Sequence, residues 1–389
     1  MSLLKPVWFC ALLLSVSLRV FGAEEGRVQV LRLPEGGIQP QAAVDEAGVA
    51  HVIYYKGKAG GGDLFYVRHE PGAAGFSKPI QVNSRPGSAM SVGSIRGAHL
   101  ALGRNGRAHV AWMGGEGASR ARTDVGETTP MVYTRLKSDG SGFEPERNVL
   151  TYAAGLDGGG SVAADREGNV YVVWHAPKPG NKEGEAGRMV FIAQSKDDGK
   201  TFAPERPALA EPTGACGCCG MRAFADRNGA LYILYRGASE MVNREEILMV
   251  SRNQGETFQI LNRDNWKTPA CPMSSAALSE GQGRTLAAWE TDGRVWFGEV
   301  GQASLKLSPP VTPPGSAKRK HPFAAGNGKG ETLLAWTEGT GWERGGSLHW
   351  QLFDATGKPM AEKGAREGVP VWGLVSAFAE PNGGFWIVY

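Results

Sequence analysis

Four of the five cysteines fall in two short segments, Gly214-Ala215-Cys216-Gly217-Cys218-Cys219-Gly220-Met221 and Cys271-Pro272-Met273. In an oxidising compartment this set reads as disulfides, with Cys271 bridging to the first segment and the other two pairing locally. A second chemistry is a soft-metal site. Thiolates of Cys216, Cys218, Cys219 and Cys271 together with the thioether of Met273 suit Cu(I), with Met221 and His321 at hand as further ligands. Cys-x-Cys-Cys is not a structural zinc spacing. The adjacent Cys218 and Cys219 offer a third possibility, a redox-active vicinal pair. On the disulfide reading no cofactor is needed; on the second, copper is the cofactor.

Distant segments can meet only if the fold brings them together, and the sequence repeats. A strand of small residues, a Gly-containing turn and an apolar strand closing in an aromatic recur seven times. The closing aromatics are Tyr54, Trp112, Trp174, Tyr235, Trp289, Trp336 and Tyr389, at intervals of 47 to 62 residues. That is the length of a four-stranded sheet with its loops, and such a period means a propeller or a solenoid. The turns are explicit: Asp45-Glu46-Ala47-Gly48, Arg104-Asn105-Gly106, Arg166-Glu167-Gly168-Asn169 and Arg227-Asn228-Gly229. Gly or Asn supplies the positive φ of a tight hairpin. Small residues before the turn fit an innermost strand crowded around an axis, and the closing aromatic would pack between neighbouring sheets. The fold class is therefore all-β, a six- or seven-bladed propeller formed by residues 24–389 as a single domain.

A second motif lies in phase with the first. Ser195-Lys196-Asp197-Asp198-Gly199-Lys200-Thr201-Phe202 and Ser251-Arg252-Asn253-Gln254-Gly255-Glu256-Thr257-Phe258 share the pattern Ser-x-Asp/Asn-x-Gly-x-Thr-Phe, with worn copies at 138–143, 75–76 and 354–357. The Asp or Asn accepts backbone N–H bonds across a turn, Gly takes the left-handed conformation, and the aromatic anchors the turn. This is the Asp-box, and over residues 27–389 the chain resembles the sialidase (BNR/Asp-box) superfamily. In that family the box is structural and lies on the face away from the active site. Family sialidases have six blades. Here the seventh hairpin ends at Tyr389 without outer strands, while 27–33 reads as a strand before the first hairpin, so pairing of the termini favours seven.

The resemblance implies a funnel face at the inner-strand entrances and the loops after the second strands. Repeat alignment places Arg96, Cys219, Met273 and Lys320 at such entrances, with Arg222, Arg319 and His321 close by, and His175, Arg236 and Glu290 just after closing aromatics. Long polar loops at 114–129, 176–188 and 338–346 mark the same face. Sialidases clamp a substrate carboxylate with three arginines, because the guanidinium fork matches it. Arg96, Arg222 and Arg319 are the expected equivalents, with His175, Arg236, Lys320 and His321 lining the site. Glycosidic cleavage needs two titratable groups, which nominates Glu290 as base and Asp157 or Asp124 as acid. The family's Arg-Ile-Pro opening is replaced by Ile38-Gln39-Pro40, and no Tyr-Glu pair is carried over by motif.

Composition agrees. There are 56 Gly, 23 Pro and 11 Trp in 389 residues, and Lys plus Arg number 42 against 39 Asp plus Glu. So even a balance excludes duplex nucleic acid as a partner. Lys5, the apolar run 7–18 and Gly22-Ala23 read as a signal peptide over 1–23, followed by a secreted or periplasmic domain with no membrane anchor after cleavage. The chain is expected to be a monomer whose partner is a glycan or a small acidic ligand. The readings are an exported exo-glycosidase acting on acidic glycans, a non-catalytic propeller that binds a glycan or a protein, and a copper or redox propeller.

Overall fold

The structure, a computed structural model, describes Met1 and residues 27–389 apart from 125, 179, 282, 316 and 317. The expected signal peptide lies outside the described residues but for Met1.

Seven sheets form the seven blades of a propeller. Blade 1 comprises Ile38–Val44, Ala50–Lys58, Gly61–His69 and Ile80–Gln81. Blade 2 comprises His99–Leu102, Ala108–Met113, Met131–Arg135 and Arg147–Asn148, and blade 3 comprises Gly160–Ala164, Val170–Pro177, Arg188–Ser195 and Arg206–Pro207. Blade 4 holds Arg222–Ala225, Leu231–Arg236, Glu246–Ser251 and Gln259–Asp264, while blade 5 has three strands, Ala277–Gly281, Arg284–Thr291 and Arg294–Val300. Blade 6 runs Arg319–Gly326, Thr332–Glu338, Gly346–Phe353 and Pro359–Val369. Blade 7 joins Ser376–Ala379 and Phe385–Val388 to the N-terminal strand Val28–Leu31. The first strand of every blade touches the first strand of the next, and that of blade 7 touches that of blade 1, so the ring is closed.

The two termini supply the closure, and the count is seven rather than six. Val28–Leu31 pairs in parallel with Phe385–Val388, Val28 opposite Phe385. Leu33 N donates to Tyr389 O at 3.0 Å, and the Arg32 guanidinium lies 4.5 Å from the centre of the Tyr389 ring. The otherwise open edge of the last hairpin is thereby occupied, which removes a site for pairing with another chain.

The core lies between blades. Ile53 and Tyr55 of blade 1 pack against Val110 and Trp112 of blade 2, and Tyr171 and Val173 of blade 3 against Ile233 and Tyr235 of blade 4. Second strands are buried on both faces, which is why Leu231–Arg236 reads as an almost unbroken apolar run. All seven closing aromatics are buried.

Turn chemistry holds the far face. In the first Asp-box, Asp197 Oδ1 accepts from Thr201 N and Ser195 Oγ at 2.9 and 2.7 Å, Gly199 N donates to Ser195 Oγ at 2.9 Å, and Gly199 sits at φ +79°. Asn253 repeats the arrangement, accepting from Thr257 N at 3.0 Å. A further repeat escaped the sequence reading. Asp45, Asp165, Asp226 and Asn327 each accept two backbone N–H bonds across the turn between the first two strands of blades 1, 3, 4 and 6.

Candidate functional site

The loop 213–220 leads into blade 4 and is pinned from both sides. Cys216 N donates to Arg236 O at 3.0 Å, Gly217 N to Glu185 Oε1 at 2.5 Å, and Gly220 N to Ser274 O at 2.9 Å. Glu185 also takes Arg244 Nη1 at 2.7 Å. Cys218 is disulfide-bonded to Cys271 in the loop leading into blade 5. The expected blade-to-blade bridge is present, but the local second bridge is not: Cys216 and Cys219 are buried free thiols. Cys271 is thereby committed to the disulfide and is no metal ligand, and Met273 turns instead into the cleft described below. His175 packs on the other side of this loop. A Cβ added to Gly158 would lie 2.4 Å from His175 Nε2 and 2.9 Å from Cys219 O.

Beneath the cysteines Arg236 is enclosed by two carboxylates. Its Nη2 lies 3.1 Å from Glu246 and 3.7 Å from Glu290, its Nη1 donates to Arg244 O at 2.7 Å, and the guanidinium stacks on Trp266. One guanidinium cannot balance two buried carboxylates, and burial raises the pKa of both, Glu246 to about 8. Glu290 is 2 % exposed and its Oε1 accepts from Gly293 N at 2.6 Å. As placed, neither it nor Arg236 meets a ligand from solvent.

The three arginines expected to converge have separate partners. Arg96 donates from Nε to Asp157 O at 2.6 Å and from Nη2 to Asp157 Oδ1 at 2.7 Å, joining blades 2 and 3. Arg222 reaches from blade 4 past blade 3 to blade 2, donating to His99 Nδ1 at 2.9 Å; burial lowers its pKa to about 10. Arg319 donates to the carbonyls of Pro313 and Pro314 at 2.8 and 2.6 Å and lies over the Trp336 ring. Side chains alternate along a strand, so Arg319 faces the blade interior while Lys320 faces the funnel. His321 is buried against Ser275 Oγ at 3.1 Å, and burial lowers its pKa to about 3. The axial channel beside Arg222, lined by Gln41, Ser94, His99 and Ser275 among others, has a volume of about 20 Å³. That is room for a single water molecule and not for a sugar. Asp124 is exposed on the turn between Ala121–Thr123 and Gly126–Thr128, and among the described residues it bonds to no other candidate.

An open cleft of about 450 Å³ lies on the funnel side of blade 6, lined by Met273, Lys318, Lys320, Gly339, Thr340, Gly341, Trp342 and Arg344. Of these, sequence reading singled out Lys320 and Met273. Trp342 is 55 % exposed, the one aromatic among the exposed large apolar side chains of the described residues. It meets Trp372 edge to face, ring centroids 4.8 Å apart. Among the described residues, the Lys318 ammonium and the Arg344 guanidinium have no hydrogen bond or ion pair. Lys320 Nζ donates to Pro272 O at 2.7 Å, and its pKa is lowered by burial, with Arg344 and Lys318 pushing the same way against Glu290. Positive charge in the cleft is therefore in excess. Gly93 lies between Arg96 and Trp342: a Cβ there would stand 2.9 Å from Arg96 Nη1 and 3.7 Å from Trp342 Cζ3. The signal that could have found Trp342 and Arg344 was their place in the polar loop 338–346.

No family model matches the chain, and no curated protein matches it either. Solved structures do. The Hadza microbial sialidase Hz136 superposes with a TM-score of 0.51 at 14 % identity, covering 84 % of this chain and 73 % of that one. The Trypanosoma rangeli sialidase superposes with a TM-score of 0.52 at 13 % identity over 79 % of this chain. The fold is that of the sialidase-type propellers. The match spans 53 % of the Trypanosoma rangeli chain, about half its length. At such identities the likeness concerns the fold; the cleft beside Trp342 rests on this chain's own residues.

Proposed function

We propose that this protein is an exported propeller that binds a carboxylate-bearing saccharide in the cleft of blade 6. The observation that carries the reading is the grouping of Lys318, Lys320 and Arg344 around one exposed indole, with no acidic residue in the cleft's lining. An aromatic face takes the apolar side of a sugar ring, and cations on a concave wall take its carboxylate. The fold supports the same class of ligand, since both structural neighbours described above are named sialidases. The Cys218–Cys271 bridge fits an oxidising compartment outside the cytoplasm, as does the N-terminal sequence. Among the described residues no helix is long and apolar enough to cross a membrane. The proposed partner is a glycan or small acidic ligand, bound by a single copy of the chain, and not nucleic acid.

Hydrolysis is a second reading, favoured by Asp157. Its side chain is 46 % exposed and held by Arg96, so of Glu290, Asp157 and Asp124 it is the carboxylate that both meets solvent and has a positioned neighbour. Among the described residues no tyrosine hydroxyl is hydrogen-bonded to a glutamate. Binding should be measured with an acidic-glycan array alongside turnover of a fluorogenic sialoside. Retention of acidic glycans, lost in Trp342→Ala, supports the binding function. Turnover abolished in Asp157→Asn would add catalysis to it, whereas retention of neutral and acidic glycans alike would overturn the assignment.

A further inference from the structure

Three sulfurs converge in the loop that leads into blade 4. Cys216 Sγ lies 3.2 Å from Cys218 Sγ and 3.3 Å from Cys219 Sγ. The three ligand atoms all lie within 4.8 Å of one another, and no histidine or carboxylate belongs to the group. Cys218 is taken by its bond to Cys271, but Cys216 and Cys219 are free, adjacent and buried at 1 % and 3 % exposure. The loop is held by the backbone bonds to Arg236, Glu185 and Ser274, so the two thiols are brought together by the fold rather than by a ligand.

We propose that Cys216 and Cys219 form a binding site for one soft monovalent d10 metal ion, Cu(I), with the bridged sulfur of Cys218 beside it. The geometry selects the ion. Thiolate ligands without nitrogen or oxygen favour a soft cation. Two thiolates are too few for structural zinc, which takes four ligands. A buried pair suits an ion content with low coordination and excludes the water that harder ions retain. Binding replaces the thiol protons of Cys216 and Cys219, which leave to solvent. No electron is transferred, and the Cys218–Cys271 bond stays intact. This site is separate from the saccharide cleft and does not depend on it.

The test uses the whole purified protein, prepared anaerobically without reductant. Denatured and unreduced, it should show two free thiols once residues 1–23, which carry Cys10, are removed, and three where they are retained. Titrated with Cu(I) against a chromogenic Cu(I) chelator, it should bind one equivalent, and Cys216→Ser and Cys219→Ser should each weaken binding by about 100-fold or more. X-ray absorption of the copper-loaded unmutated protein should show an all-sulfur first shell, a reading that does not depend on how the variants fold. Cys216 found joined to Cys219 with neither thiol titratable, a nitrogen- or oxygen-dominated shell, or undiminished uptake in the serine variants would each overturn the proposal.

Discussion

Trp342 stands edge to face with Trp372, ring centroids 4.8 Å apart, and this contact ties the loop after the second strand of blade 6 to the loop leading into blade 7. Trp372 is buried and backed by Gln39, whose Nε2 donates to its carbonyl at 3.0 Å. Trp342 therefore projects from a fixed base. An edge-to-face pair contributes about 0.5–1.5 kcal/mol. Trp372→Ala should accordingly weaken acidic-saccharide binding by up to about tenfold while leaving the cations of the cleft in place. Calorimetric titration of the variant beside the unmutated protein checks this, and unchanged affinity would show that Trp372 does not position the indole.

Cys218 and Cys271 are 53 residues apart, and the loop they close spans the whole of blade 4. A loop of that length is worth about 4 kcal/mol of unfolded-state entropy in the chain-entropy account. The double variant Cys218→Ser, Cys271→Ser should lose stability on that scale, read as a fall in the urea midpoint, with a slope that rises because the unfolded chain without the cross-link is less compact. A loss below about 1 kcal/mol would mean that native contacts between blades 4 and 5 already impose the constraint.

The Asp-box turns should matter to stability and not to binding. Asp197 accepts from Ser195 Oγ, Thr201 N and Thr201 Oγ1 at 2.7 to 2.9 Å. Hydrogen bonding holds its carboxyl at a pKa of about 2, against the opposing effect of partial burial. Asp197→Ala should cost about 1–2 kcal/mol in chemical denaturation and leave saccharide affinity within twofold. A change in affinity with no change in stability would contradict the structural role given to the box.

Acid should unfold the protein through its histidines. Burial lowers the pKa of His109, His175 and His321 to about 3, and that of His99 well below the ordinary 6.5. Between about 6.5 and 3 the unfolded chain binds protons at these positions and the folded chain does not. Their contribution is present above pH 6.5 and is lost as the pH falls, at up to about 1.4 kcal/mol per pH unit for each histidine. Denaturant midpoints measured from pH 7 to 4 should fall steeply, and His109→Phe should flatten the slope. A midpoint independent of pH in that range would contradict the burial of these rings.

Much of the architecture was written in the sequence, because each blade repeats the same local requirements. Seven closing aromatics and the turns at Gly48, Gly106, Gly168 and Gly229 predicted the hairpins, and the strand at 27–33 predicted the closure that fixes seven blades. The cluster of cysteines at adjacent entrances was legible for the same reason, since repeat phase places both segments at the same height. Pairing within it was not, because that depends on which sulfur a few ångströms of loop bring nearest to Cys271. The arginines show the limit more sharply. Repeat phase placed Arg96, Arg222 and Arg319 near one face but could not say where each side chain turns, and local partners at Asp157, His99 and Pro313 decided that. Trp342 and Arg344 lie in a loop outside the repeat, so neither phase nor motif singled them out.

The most direct test of the account is a calorimetric comparison of acidic saccharides, sialylated and uronate-terminated, with their neutral counterparts. At least one acidic saccharide should bind at least about tenfold more tightly than its neutral match, and the margin should vanish in Lys318→Ala, Arg344→Ala protein and shrink with salt. If no acidic saccharide binds better than its neutral counterpart, the cleft beside Trp342 is not the site described here.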